Sequence, residues 1–110
     1  MSYSEFNDFL KKCGVSRTDA EDGEVVLTKD DALKALKLLV GTDLIVLGGD
    51  VYELESDGYF RPTYDNWYFN KDNYLPLEAA KKSQEKAIEY LNGYRELEDS
   101  NIRYVFVLDV

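Results

Sequence analysis

The chain has no histidine and a single cysteine among its 110 residues. Without histidine it lacks the usual general base, the usual zinc ligand and every triad that relays a proton through imidazole. One thiol, Cys13, cannot form an internal disulfide, which fits a reducing compartment. Its helical spacing with Phe6, Phe9 and Leu10 makes it a small core residue before it makes it a nucleophile. Basic residues are scarce as well: 13 Lys and Arg stand against 22 Asp and Glu, a net charge of −9. Nucleic-acid binding depends on clustered Lys and Arg, so that partner is excluded, whereas a basic protein partner would be attracted and its encounter accelerated. Long apolar runs are missing too. The stretch Leu44 to Leu47 is far short of a membrane span, and the polar start Met1-Ser2-Tyr3-Ser4-Glu5-Phe6 does not resemble a secretion signal. Gly48-Gly49 lacks the third glycine, the lysine and the following helix of a phosphate loop. Asp19 to Gly23 does not space its oxygens as a calcium loop does. These absences predict a cytoplasmic, single-domain protein over residues 1–110, with no cofactor and no metal.

What is present is a sizeable apolar and aromatic fraction, enough for a core that needs no covalent staples. The periodicity predicts a first helix through Phe6, Phe9, Leu10 and Cys13, capped by Ser2 or Ser4 and stopped at Gly14. A polar connector runs from Ser16 to Gly23, and Glu24 to Leu27 forms a short strand. Thr28 caps a second helix with Asp30 and Asp31 in its first turn; Ala32, Leu33, Leu36, Leu39 and Val40 make its apolar face, and Gly41 ends it. Leu44 to Leu47 is a strand that Gly48-Gly49 interrupts as a bulge or bend. Beyond it, Asp50, Tyr52 and Leu54 share one face, and Val51, Glu53 and Glu55 the other. Asp57-Gly58 signals a hairpin turn, and Tyr64 to Phe69 returns after a corner at Pro62. Pro76 opens a third helix over 77–92 with a seam of Ala80, Gln84, Ala87, Ile88 and Leu91, a Glu78–Lys82 pair, and a stop at Gly93. Ile102 to Val110 is apolar on both faces, which places it inside a sheet. The expected fold is α+β: a mainly antiparallel sheet of about four to five strands with about three helices packed on one side.

Chemistry concentrates between Gly48 and Phe69. Gly48-Gly49-Asp50-Val51-Tyr52 and Thr63-Tyr64-Asp65-Asn66-Trp67-Tyr68 combine glycines, carboxylates and rings beyond what strands need. These two strings, in this order and followed by Ser83-x-x-Lys86-Ala87-x-x-Tyr90, resemble the signature of the immunity protein 40 family of bacterial polymorphic-toxin systems. The likeness spans roughly Leu33 to Val110. It departs at Phe69, where a cysteine is expected, and at Lys82, where an arginine is common. The resemblance implies a small cytoplasmic protein that binds and neutralises a cognate toxin.

Each residue has two readings. Trp67 is a core anchor between sheet and helix or an interface hot spot. Asp65 and Asn66 brace a bend or face the partner. Asp50 is buried and hydrogen-bonded, or it forms an acidic-aromatic pair with Tyr52 in solvent. Gly48 and Gly49 serve backbone geometry, as Asp57 and Gly58 serve the turn. The expectation is a binding surface made of Asp50, Tyr52, Glu53, Glu55, Tyr64, Asp65, Asn66 and Trp67 and presented to a basic toxin surface. The competing expectation is a small enzyme, or a sugar- or metabolite-binding domain, that uses Asp50 and Asp65 in an aromatic cleft.

Overall fold

Thr28 sets the second helix in the way its sequence predicts. Its backbone is extended, its hydroxyl accepts from the Asp31 amide, and α2 runs Lys29–Leu39. The computed structural model describes residues 3–13, 15–16 and 25–109. In chain order it contains α1 (Tyr3–Cys13), β1 (Val15–Ser16), β2 (Val25–Val26), α2, β3 (Ile45–Leu54), β4 (Phe60–Tyr68), a single 3-10 turn (Lys71–Asn73), α3 (Pro76–Gly93) and β5 (Ile102–Asp109). The proposed cap Ser2, the stop Gly14, residues 17–24 of the connector and strand, and the side chain of Cys13 fall outside the described residues; Ser4 lies inside α1.

The architecture is α+β. The main sheet has the order β4-β3-β5, antiparallel throughout. It holds three strands instead of four to five, because β1 and β2 are two residues each and pair with one another. Among the described residues, the second strand hydrogen-bonds to the main sheet through the Leu27–Tyr104 bridge. β5 therefore stands at one end of the sheet, and β3 is the inner strand. Both faces of β5 are apolar for another reason. Tyr104 enters the core under the helices, while Val105 on the opposite face joins Tyr52, Phe60 and Val26 in a second, smaller cluster. The arm carrying Val26 covers that half of the far face.

The main core lies between the sheet and the helices and joins Phe6, Leu27, Ala32, Ala35, Leu36, Leu39, Val46, Val51, Trp67, Ala87, Leu91 and Tyr104. Ala35 takes the place expected of Val40. Val40 is the C-cap, turned out of the helix and 57% exposed, and the positive φ of Gly41 follows it. In α3, Lys82 approaches Glu85 one turn ahead instead of Glu78; both spacings lie on one exposed face, so a mobile lysine can reach either.

β3 is one continuous strand. The irregularity expected at the glycine pair is a bulge at its leading edge, where register with β5 slips between Val46 and Gly48, and the strand runs on through it. The hairpin that follows closes through a three-residue loop, Ser56-Asp57-Gly58. The Glu55 amide donates to the Tyr59 carbonyl, the Gly58 amide donates to the Glu55 carbonyl, and Gly58 takes φ +86°. A loop of this length ending in a left-handed glycine is a preferred hairpin connection. β4 begins at Phe60, earlier than the expected Tyr64, and Pro62 is accommodated because β4 is an edge strand.

Candidate partner-binding surface

The two signature strings divide by face. Residues pointing towards the helices lock the sheet to α3. Gly49 lies under the Trp67 ring: a Cβ there would stand 2.3 Å from Trp67 Cη2 and 2.4 Å from the Val105 carbonyl oxygen. A Cβ on Gly48 would meet the Trp67 carbonyl oxygen at 2.2 Å. Gly49 is therefore the space into which the tryptophan ring packs, and Gly48 lets the β4 backbone come close to β3. Trp67, 6% exposed, stacks on Tyr90 of α3 at 4.6 Å and meets the edge of Phe106 at 6.2 Å. Its indole N–H is buried without an acceptor among the described residues, so its contribution comes from area and stacking. The helix string completes the joint. The fully buried Ser83 hydroxyl accepts from the Val46 amide at 2.9 Å and donates to the Ala80 carbonyl, and the Lys86 ammonium donates to the Tyr68 carbonyl.

A second bulge shapes β4. Asp50 opposes Asn66 and Tyr52 opposes Pro62, which leaves Thr63, Tyr64 and Asp65 across from Val51 alone. Tyr64 sits at the crest with φ +69°, the one non-glycine residue with positive φ among those described, and the residue is 85% exposed. For a bulky residue this conformation is an outlier that surrounding structure must hold in place. The bracing is visible. The Thr63 hydroxyl donates to the Val51 carbonyl at 2.8 Å and accepts from the Asp65 amide, and the Asn66 side-chain amide donates to the Tyr64 carbonyl. The Tyr94 hydroxyl, just past α3, donates to the Asp65 carboxylate at 2.7 Å. Burial first, then the bond to Asp65, pushes the Tyr94 phenol up to about 12. Tyr90 is raised by burial and then by the nearby Asp65 charge.

The other face of the hairpin is open over half its length. Gly48 lies between Tyr68 on β4 and Val107 on β5, and Asp50 lies between Asn66 and Val105. Tyr68 is 69% exposed, Asn66 is exposed and Asp50 half-buried. Further along this face Tyr52, 8% exposed, is covered with Phe60 and Val105 by Val26. At the hairpin tip the Arg61 guanidinium bridges Glu53 and Glu55, with Nε 2.6 Å from the Glu55 carboxylate. Both carboxylates hold Arg61 above its ordinary value, Glu55 through its hydrogen bond most.

The eight residues expected to form one binding surface thus separate. Trp67 and Tyr52 are interior, because the face each occupies is covered by α3 and by the Val26 arm respectively. Glu53 and Glu55 form a cation-bridged pair in place of a free acidic rim, since Arg61 is the cross-strand partner of Glu53. Tyr64, Asp65 and Asn66 are exposed on the bulge, and Asp50 lies on the open face beside Asn66. Asp65 is engaged by Tyr94, and the shallow depression that Asp50 lines contains Asn66 instead of Asp65. The two carboxylates do not converge on one cleft. Sequence reasoning passed over Tyr68, Arg61 and Tyr94. Counting alternate residues onward from Asn66 would have found the first; the others depend on contacts distant in sequence.

Among models of known families, that of immunity protein 40 matches the chain over residues 9–108, which extends the resemblance through α2 and into α1. Comparison with curated proteins gives no match, and comparison with solved structures gives none.

Proposed function

This chain belongs to the immunity protein 40 family, and from that premise we propose that it neutralises a bacterial toxin in the cytoplasm by binding it, without catalysis of its own. The binding surface in this reading is the outer half of the hairpin: Tyr64, Asp65 and Asn66 on the bulge, with Asp50 and Tyr68 on the open sheet face. The observation that carries it is Tyr64. Four hydrogen bonds across the bulge hold the Tyr64 backbone at positive φ, so the direction in which the side chain of this 85% exposed residue leaves the strand is set before any partner arrives. Such preorganisation lowers the entropy lost on association, and exposed tyrosines are suited to the centre of an interface. The net charge of −9 would draw in a basic toxin surface.

The test pairs this chain with the C-terminal domain of the protein that the neighbouring gene encodes. Co-expression with the wild-type chain protects cells and the two proteins co-purify. Combined Tyr64→Ala and Tyr68→Ala substitution weakens the complex by about thirtyfold or more, the scale of losing hot-spot rings, without lowering the melting temperature of the free protein. A toxin that ignores the wild-type chain defeats the function; a toxin that binds the double variant equally well defeats the surface.

A further inference from the structure

The open half of the sheet carries a shallow trough. Gly48 supplies a bare backbone floor, and its two register neighbours, Tyr68 and Val107, stand on either side as apolar walls. The depression they bound measures roughly 290 Å³ and runs on to Asp50 and Asn66. Two residues along β3 is about 7 Å of strand, so the trough is apolar at one end and carries a carboxylate and an amide at the other. Asp50 is also set apart from the other carboxylates of the hairpin and its neighbours. Glu53 and Glu55 share Arg61, Asp65 accepts from Tyr94, and Asp109 is paired with Lys71 at 2.6 Å. Among the described residues, no cation or hydrogen-bond donor is directed at the Asp50 side chain.

Resting on the immunity reading above, we propose that this trough receives a long basic side chain, lysine or arginine, projected by the toxin. The methylene stem lies along the Gly48 floor between Tyr68 and Val107. The cationic head reaches Asp50, with the Asn66 side-chain oxygen as a second acceptor. The Tyr68 ring favours a cation near its face, and a half-buried carboxylate gains most from a charge-assisted bond. The occupant follows from complementarity: an apolar slot of stem length ending in the one uncompensated carboxylate of the sheet.

Asp50→Asn keeps the size of the side chain, removes its charge and turns one acceptor into a donor, and unchanged melting shows that the fold is kept. Against the same neighbour-encoded domain, Asp50→Asn weakens binding about thirtyfold, mostly through faster dissociation, as loss of one partner of a buried charge pair does. Glu98→Gln, an exposed carboxylate elsewhere, leaves affinity within about twofold. A second arm needs no toxin. Titration of the free protein with N-acetyl-arginine methylamide shifts the backbone amide signals of Gly48, Asp50 and Val107, whereas the norleucine analogue does not, and Asp50→Asn abolishes the response. Toxin affinity unchanged by Asp50→Asn overturns the proposal whatever the small probe does. If the wild-type chain binds no toxin but still seats the arginine probe, the immunity reading falls while the receptor stands.

Discussion

Replacing Gly49 by alanine tests the joint between sheet and helix most directly. The added methyl would sit 2.3 and 2.6 Å from two ring carbons of Trp67 and 2.4 Å from the Val105 carbonyl oxygen, distances that van der Waals packing does not allow. The ring cannot swing freely, since Tyr90 is stacked on it and Phe106 abuts it. Nor can the carbonyl retreat without opening the β3–β5 ladder, in which Gly49 faces Phe106 and Asp50 faces Val105. Overpacking a core by one methyl costs about 1–3 kcal/mol; two separate clashes, one with backbone, put Gly49→Ala at about 3 kcal/mol or above. For a domain of this size that corresponds to a fall in melting temperature of about 12 °C. Urea titration read by the fluorescence of Trp67, the single tryptophan, and thermal melting read by circular dichroism both measure it. Adding Trp67→Leu removes the ring clash and leaves the carbonyl clash, so the double variant should be less unstable than the sum of the single losses by more than about 0.5 kcal/mol. A Gly49→Ala protein melting within about 2 °C of wild type, on the same scale, would refute the reasoning.

Ser83→Ala removes the acceptor of the buried Val46 amide and should lower stability by about 1–3 kcal/mol, measured by urea denaturation. The phenol of Tyr94 is raised from 10.0 to about 12, so its contribution to stability is complete below about pH 10 and is lost as pH climbs towards about 12. Burial, and then the bond to Glu96, raises Tyr104 as well, which adds to the loss in the same direction. Urea midpoints measured across that range should fall with rising pH, and Tyr94→Phe should flatten the fall.

Local chemistry made the helices legible. Thr28 before an acidic turn and Pro76 before an apolar seam act within one turn of themselves, and both operate as their types suggest. The hairpin was legible from Asp57-Gly58 for a similar reason. Faces were readable where alternation holds, as with Asp50 and Tyr52 against Val51. The two bulges, beside Leu47 and over 63–65, break that alternation; Asp65 and Asn66 signalled a bend at the second, but nothing marked Tyr64 as its crest, since tyrosine is an improbable choice for positive φ. Which face is covered was hidden for a different reason. Tyr52 is interior because Val26, a residue of another short ladder, folds over it, and Glu53 is neutralised because a three-residue loop brings Arg61 opposite it. The place of β5 followed the same logic, its apolar outer face being explained by that arm and not by a flanking strand.

The bulge at Tyr64 also bears on how this molecule avoids sticking to copies of itself. β4 is an outermost strand, and an outermost strand is a template on which a stray segment can be laid. Here the template is spoiled at its middle: Pro62 offers no amide hydrogen, and over the next three residues the backbone turns out of the pleat. A foreign chain could not zip along it, so whatever grasps this margin must do so through side chains, which can tell one partner from another where a bare backbone cannot.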